Sequence, residues 1–188
     1  VGRRWFRRRL VRGRWQVGRR WRLGAVVMRW LRHCFAPAAA GRFPAARLER
    51  IAAAIAEGER LHAGEVVFAV ESGLPWRALR RGLAPRERAH EVFARLRVWD
   101  TEANNGVLLY LLLADHAIEI VADRGLEGRV SGEEWEQVCR AVEAAIAGGD
   151  ALEPAVIAGI GRISALLATH WPATGAGRDE LPDRPVLL

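Results

Sequence analysis

Two apolar stretches of the chain are joined by a link so short that it restricts how they can pair. Residues 107–114 read VLLYLLLA and residues 118–122 read IEIVA, with Asp115 and His116 in the link. Each stretch has the length and composition of a buried strand, and a link of this size leaves room only for a tight turn. The pattern therefore predicts an antiparallel hairpin and restricts the chain to folds that contain a sheet.

A third apolar stretch, residues 65–71 (EVVFAVE), predicts a buried strand earlier in the chain. A helical pattern starting at Pro85 separates it from residues 107–114, so these two strands are predicted to be parallel with a right-handed crossover. The inward face of that helix is predicted to consist of Ala89, Val92, Phe93 and Leu96.

Three more helices complete the predicted fold. Helical spacing runs over residues 44–61 and 152–170, and a further helix begins with Ser131 and Glu134 in a capping box and stops at Gly148. Strands and helices in this order are typical of an α/β fold. We predict a three-layer αβα sandwich with a small mixed sheet that contains one parallel crossover and one antiparallel hairpin.

The positive charge of the chain is confined to its first residues. Residues 1–34 contain 12 arginines and no acidic residue, so residues 35–188 alone are mildly acidic although the whole chain carries +7. Three interpretations of this Arg/Trp-rich leader stay open: a disordered basic arm, a segment that binds a membrane surface or nucleic acid, and translated DNA upstream of a true start at Met28. Nucleic acid is not expected as a partner of the rest of the chain.

The predicted organisation has three parts. The basic leader covers residues 1–34, the folded domain covers residues 43–171, and an extended tail covers residues 172–188. The longest apolar run, residues 107–114, is far shorter than the ~20 residues that cross a membrane, so no transmembrane segment is predicted. A cytoplasmic location is expected, because the leader also lacks the apolar core of a secretion signal.

Several chemistries lack the residues that they need. All 29 Lys and Arg residues are arginine, so no lysine is available for a P-loop or a Schiff base. Cys34 and Cys139 have no Cys or His at ligand spacing and predict neither a disulfide framework nor a zinc site. The serine-hydrolase elbow and the H-E-x-x-H zinc motif are absent from the sequence, and no nucleotide cofactor is expected.

Residues 99–125 (WDTEANNGVLLYLLLADHAIEIVADRG) resemble the core of the TPM domain family. The family pattern is an Asn-Gly pair before an apolar strand, an aspartate at the hairpin, a second strand and a closing Gly-Leu-Glu. The matching residues here are Asn105-Gly106, Asp115, residues 118–122 and Gly125-Leu126-Glu127. Residues 62–72 and 180–185 also resemble a short bacterial subgroup that lacks a signal peptide and a membrane anchor.

The resemblance covers roughly residues 43–188 and implies the same αβα sandwich. It leaves the activity open, because members include proteins of photosystem II repair, one described as an acid phosphatase, and bacterial proteins of unknown role, some with a bound divalent metal. Where many members have Gly-Tyr-Gly-Leu-Glu, this chain has Asp123 and Arg124 before Gly125.

The hairpin predicts where polar residues gather. Because its strands run antiparallel, the residues before position 107 lie beside the residues after position 122. Asp100, Asn104 and Asn105 are therefore expected to converge on Asp123 and Arg124. The four Asp and Asn side chains are the predicted ligands of Ca²⁺ or Mg²⁺, which prefer oxygen donors, and Arg124 is the predicted phosphate-binding residue.

The same residues also have a purely structural interpretation. Asn-Asn-Gly is ordinary turn chemistry, an aspartate at the end of a strand often caps a backbone amide, and Asp123 with Arg124 can form a surface pair. The opposite end of the sheet offers a weaker second set of candidates, which consists of Glu71, Ser72 and Asp115.

Two functions therefore stay open. The first is a non-enzymatic binding or accessory domain, with or without a divalent metal ion, whose protein partner the sequence does not name. The second is a metal-assisted acid phosphatase, a phosphomonoester hydrolase, with the ion among Asp100, Asp123 and the two asparagines and with Arg124 on the phosphate. The lack of a recognised nucleophile motif favours the first.

Overall fold

The sheet forms the middle layer of the molecule. The structure, a computed structural model, describes residues 22–148, 151–173 and 180–188. Within these residues four strands lie side by side in the order β3-β2-β1-β4. They are β1 (Glu65–Glu71), β2 (Gly106–Leu112), β3 (Ala117–Ala122) and β4 (Val186–Leu187). The first three are the strands that the apolar stretches predict.

Strand directions follow the predicted connections. β1 and β2 are parallel, with Glu65 opposite Gly106, and β2 and β3 are antiparallel, with Val107 opposite Ala122. The turn between β2 and β3 places His116 at φ +51°, in the left-handed region that tight turns use. The crossover and the hairpin are both confirmed.

Seven α-helices surround the sheet within the described residues. They are α1 (Arg22–Cys34), α2 (Ala39–Arg42), α3 (Ala45–Glu59), α4 (Trp76–Arg80), α5 (Pro85–Arg95), α6 (Gly132–Ala147) and α7 (Leu152–His170). The predicted capping box of α6 is confirmed, since Ser131 Oγ accepts from Glu134 N at 3.3 Å and Glu134 Oε2 accepts from Ser131 N at 2.7 Å.

Side chains alternate along the buried strands and build one core on each face of the sheet. On one face Val66, Phe68 and Leu109 pack with α3, α6 and α7. On the other face Val67 and Tyr110 pack with α4 and α5. Strands covered on both sides must be apolar almost throughout, which is why β1 and β2 show continuous apolar runs. The three-layer αβα sandwich is therefore confirmed.

The helix α7 is the one described helix long and apolar enough to cross a membrane by length and composition. Its inward stripe, which includes Val156, Ile160 and Leu167, is buried in the domain core. Gly159 lets α7 approach α6 closely, because a Cβ there would come within 2.6 Å of Val142 Cγ2. Packing in the core accounts for the apolar composition of this helix.

Two elements of the fold are not among those predicted from the sequence. Trp76–Arg80 form α4 soon after β1, with Ala78 and Leu79 buried. The tail from residue 172 was expected to be extended, and within it Val186–Leu187 form β4 along β1 while residues 174–179 lie outside the described residues. Both elements are stabilised by the core of the domain, which local sequence patterns do not show.

The predicted leader overlaps a helix that contacts the domain. Residues 1–21 lie outside the described residues, and Arg22–Cys34 form α1. Arg29 donates to Asp115 in the hairpin turn, from Nη2 at 2.8 Å, and to the carbonyl of Leu83 at 2.7 Å. One turn later, His33 Nε2 lies 3.0 Å from Asp115 Oδ1, and His33 Nδ1 accepts from Leu74 N at 2.9 Å. Ordered structure thus extends before residue 43, where the domain was predicted to start.

Asp115 is the residue that these contacts share. Burial raises the pKa of its carboxyl group, but the hydrogen bonds and charges of Arg29 and His33 outweigh burial and hold the pKa below its usual value. Asp115 is therefore ionised at neutral pH and attracts both side chains of α1.

We expect Asp115→Ala to detach α1, because the variant removes the acceptor that Arg29 and His33 share. Charged hydrogen bonds of this kind contribute about 1.5–3 kcal/mol, so the free energy of unfolding should decrease by about that amount. Amide exchange in α1 should become faster. Glu57→Ala, which removes an exposed carboxylate of α3, is the control. Equal exchange protection of α1 in the two variants would contradict the role of Asp115.

Candidate functional site

The candidate site lies at the end of the sheet where β2 begins and β3 ends. Beyond the last strand pair, Asp123 N donates to Gly106 O at 2.9 Å and Gly125 N donates to Asn104 O at 2.9 Å. These two bonds continue the antiparallel pairing into the flanking loops. The residues before β2 and after β3 therefore face each other.

The backbone of these loops adopts conformations that few residues accept. Asn104 has φ +52°, a left-handed conformation that Asn tolerates better than most residues. At Gly125 a Cβ would overlap the carbonyl oxygens of Ala103 and Asn104. Asp123 caps the 3-10 turn Arg124–Leu126, since its Oδ1 accepts from Arg124 N at 2.7 Å. The loop chemistry thus has a structural role of its own.

Arg124 is oriented by Asn104. Its Nε donates to Asn104 Oδ1 at 2.8 Å, and its side chain is exposed. Among the described residues, neither terminal nitrogen of this guanidinium has a hydrogen-bond partner. An arginine anchored through Nε presents Nη1 and Nη2 as a pair of donors, a geometry that suits a carboxylate or phosphate.

Asp123 adds a free acceptor next to this arginine. Its Oδ2 is buried and has no hydrogen-bond partner among the described residues. A buried carboxylate oxygen without a donor is unfavourable, so Asp123 Oδ2 needs an N–H or O–H group that the described residues do not supply.

The other two predicted site residues point away from Arg124. Asn105 is buried, and its Nδ2 donates to the carbonyl of Ala63, inside the domain. The Asp100 side chain is exposed and lies 4.0 Å from Arg97. Of the five predicted residues, the structure brings together Asn104, Asp123 and Arg124.

This set of donors does not fit a resident divalent cation. Ca²⁺ takes about six to eight oxygen ligands and Mg²⁺ requires a near-octahedral shell. Here the Asn104 oxygen accepts from a guanidinium, and Asp123 supplies one unpartnered carboxylate oxygen. Within the described residues, no three His, Cys, Asp or Glu side chains are placed to hold a metal ion. Binding of Ca²⁺ or Mg²⁺ stays a prediction.

A carboxylate cluster (Glu59, Glu65 and Asp183), which was not predicted from the sequence, lies at the same end of the sheet. Glu59 Oε1 accepts from Val66 N at 2.8 Å, and the buried Glu65 accepts from Leu181 N at 3.2 Å. Burial of Glu59, together with its hydrogen bonding to Asp183, raises the pKa of Glu59 to about 9. Glu59 is therefore protonated at neutral pH. The signal available in the sequence was Glu65, a glutamate at the start of a strand whose next five residues are apolar.

The weaker candidate set at the opposite end of the sheet, Glu71, Ser72 and Asp115, forms hydrogen bonds and ion pairs that stabilise the fold. Glu71 accepts from Arg88 Nε and Nη2, both at 2.9 Å, and from Tyr110 Oη at 2.6 Å. Burial, reinforced by the Glu71 carboxylate, raises the pKa of Tyr110, so the phenol keeps its proton and donates. Ser72 Oγ accepts from the first amide of α2 at 2.7 Å, and Asp115 contacts α1.

Comparison with known proteins supports the resemblance noted in the sequence. A sequence model of the TPM domain matches residues 38–166, which include the whole candidate site. The fold is similar to the NMR structure of the BA42 protein from the psychrophilic bacterium Bizionia argentinensis, with 25% identity and a TM-score of 0.67. That similarity covers 78% of this chain and 95% of the other. No curated protein sequence matches the chain.

Removing the partner of Glu71 should be strongly destabilising. Arg88→Met leaves a buried carboxylate without its counter-charge, which is expected to lower the free energy of unfolding by about 3–5 kcal/mol in urea at neutral pH. The double variant Glu71→Gln/Arg88→Met removes both charges and should recover much of that loss. Arg95→Met, an exposed arginine on the same helix, is the control. A double variant no more stable than Arg88→Met would refute this account of the pair.

Stability should fall as the pH rises through the window in which Glu59 keeps its proton only in the folded state. Because its folded pKa of about 9 lies above the unfolded value, the stabilisation is complete below the unfolded pKa and is lost towards pH 9. Glu59→Gln imitates the protonated acid and should reduce this slope by up to about 1.4 kcal/mol per pH unit. Glu57→Gln, on the exposed face of α3, should not. The prediction fails if urea unfolding from pH 6 to 9 gives the same slope for all three proteins.

Proposed function

Because the chain belongs to the TPM domain family and holds Arg124 in place through Asn104, we propose that it is a non-catalytic binding domain that recognises an anionic group at this end of the sheet. The observation that carries the proposal is the exposed guanidinium, anchored through Nε at 2.8 Å and open at its two terminal nitrogens among the described residues. The partner is a protein or peptide that presents a carboxylate or a phosphate.

Asp123 narrows the class of ligand. Its buried Oδ2 lacks a donor among the described residues and adjoins Arg124 in the chain. A ligand that carries anionic oxygens for the guanidinium and an N–H or O–H group for Asp123 satisfies both residues. An acidic peptide segment and a singly protonated phosphate have this combination.

Catalysis has less support. A nucleophile requires a base within hydrogen-bond reach, and among the described residues no Ser, Thr, Cys or His hydrogen-bonds to the side chain of Asp123 or Arg124. The alternative, a metal-assisted phosphomonoesterase, needs a resident ion to activate water, and the donors around Asp123 do not fit one.

The proposal includes a cytoplasmic location and the short bacterial subgroup that residues 62–72 resemble. The cytoplasmic location is supported by the thiols of Cys34 and Cys139, which are both free. Cysteines that stay free, one of them exposed, are typical of proteins in reducing compartments.

Inorganic phosphate should bind at Arg124. In an NMR titration we expect the amides of residues 123–125 to shift, and we expect Arg124→Gln to weaken binding by about tenfold or more, because a charged hydrogen-bond pair is lost. Arg162→Gln, an exposed arginine on α7, is the matched control and should bind as the unmodified chain does. Shifts that persist unchanged in Arg124→Gln would overturn the proposed site.

A parallel assay separates the binding domain from the phosphatase. We expect no hydrolysis of p-nitrophenyl phosphate, with or without added Ca²⁺ or Mg²⁺. Metal-dependent turnover that Asp123→Ala abolishes would overturn the non-catalytic proposal and favour the phosphomonoesterase.

A further inference from the structure

The helix α1 turns apolar side chains away from the domain. Met28, Leu31 and Phe35 are 58%, 45% and 80% exposed. Their spacing of three and four residues places them on one side of the helix, and Phe35 continues the helical bonding with its N–H donating to Leu31 O at 2.9 Å. We call this set the apolar stripe (Met28, Leu31 and Phe35).

Two polar side chains of α1 point towards the domain. Arg29 and His33 contact Asp115 and fix which side of the helix faces the domain. An amphipathic helix on a protein surface normally buries its apolar residues. In α1, Trp30 packs against the core, whereas the apolar stripe stays exposed. Half of the six large exposed apolar residues in the described part of the chain belong to the stripe. A concentration of this kind marks a contact surface.

Charge indicates what this surface contacts. Residues 1–34 carry 12 arginines and no acidic residue, and Arg32 is exposed beside the stripe. Arg29 is already paired with Asp115, whereas Arg32 has no carboxylate partner among the described residues. An anionic surface is electrostatically complementary to such a segment.

The neighbouring helix adds an aromatic residue of the same type. His33 accepts from Leu74 N, and two residues later α4 begins with Trp76, which is 55% exposed. The guanidinium groups of Arg77 and Arg80 lie 5.8 and 5.2 Å from the centre of its ring. Trp next to Arg is typical of the boundary between lipid headgroups and acyl chains.

We propose that the apolar stripe of α1 inserts into the surface of an anionic membrane. The helix lies in the plane of the interface, Met28, Leu31 and Phe35 enter the boundary of the acyl chains, and the exposed Arg32 beside them contacts lipid phosphates. Asp115 connects the opposite side of the helix to the hairpin, so the domain rests on the membrane through α1. This site is separate from Arg124 and does not depend on the proposed function.

Other occupants fit the surface less well. A second copy would bring two arginine-rich segments without acidic residues against each other, and like charges oppose such a contact. Nucleic acid bases stack on aromatic or guanidinium planes, whereas two of the three residues of the stripe, Met28 and Leu31, are aliphatic. Lipid accommodates both the aliphatic side chains and the positive charge.

Vesicles test the proposal on the full chain. In a cosedimentation assay, the protein should pellet with vesicles of one part phosphatidylglycerol to two parts phosphatidylcholine. Vesicles of phosphatidylcholine alone should bind it much more weakly. Leu31→Ser/Phe35→Ser should lower the partition coefficient at least about tenfold, since the burial of two large apolar side chains is lost. Both residues are exposed, so the melting temperature should not change, and it serves as the check on folding.

The matched control removes two exposed apolar residues outside α1. Leu61→Ser/Trp99→Ser should bind anionic vesicles as the unmodified chain does. Equal loss in the two double variants, or no loss in Leu31→Ser/Phe35→Ser, would overturn the assignment of the stripe. Binding to neutral vesicles as strong as to anionic ones would overturn the role of charge.

Cys34 offers a direct readout of insertion. It is exposed next to Phe35, whereas burial raises the pKa of the Cys139 thiol to about 12, so an environment-sensitive maleimide should react first at Cys34. Anionic vesicles should shift the emission of the label to the blue. A blue shift with single-stranded RNA but not with vesicles would overturn the proposed membrane binding and favour RNA as the partner. Concentration-dependent dimers that Leu31→Ser/Phe35→Ser abolishes would overturn it in favour of a second copy of the chain.

Discussion

The parallel pairing of β1 with β2, buried on both faces, is the constraint on which the other elements depend. Parallel neighbours need a long connection, and here α4 and α5 supply it and cover one face. The opposite face is equally apolar and must be covered by α3, α6 and α7. The hairpin strand β3 and the short β4 then complete the two sides of this pair. A chain with these two strands thus requires nearly all of its remaining helices.

Local patterns predicted the elements whose partners are near in sequence. The hairpin follows from the short link at Asp115, and α6 follows from Ser131 and Glu134, which interact within one helical turn. The helix α1 and the strand β4 were not predicted as parts of the fold. Arg29 contacts Asp115, 86 positions away, and Leu181 contacts Glu65, 116 positions away. Contacts at such separations leave no periodic signal.

Only part of the candidate site was predicted, because strand pairing determines which loop residues are neighbours but not where their side chains point. Antiparallel register alone brings Asn104 beside Arg124, because the strand pairing determines which loop residues meet. Register does not determine which way a loop side chain turns. Asn105 follows Asn104 directly, yet its side chain points into the domain towards Ala63. Asp100 lies outside the strand pairing and turns to Arg97 instead.

The two ends of the sheet treat buried carboxylates in different ways. At the end near the hairpin turn, Asp115 and Glu71 form ion pairs with arginines from α1 and α5. At the other end, Glu59 keeps a proton and hydrogen-bonds with Asp183. The first arrangement attaches helices through ion pairs, and the second attaches the tail through the hydrogen bond between Glu59 and Asp183. Arg124 lies at the second end, where no helix supplies it with a carboxylate partner among the described residues.

The contacts along the outer edge of β1 limit aggregation between copies of the chain. An apolar strand with a free edge can recruit the same strand from another molecule and start aggregation. On this edge Val66 N is taken by the Glu59 carboxyl group, Ala69 and Val70 lie beside β4, and Val70 O accepts from Leu188 N at 3.0 Å. A side chain and two residues of strand therefore do the work of a full neighbouring strand. A few contacts at the margin of the sheet therefore protect the edge of β1 from pairing with another molecule.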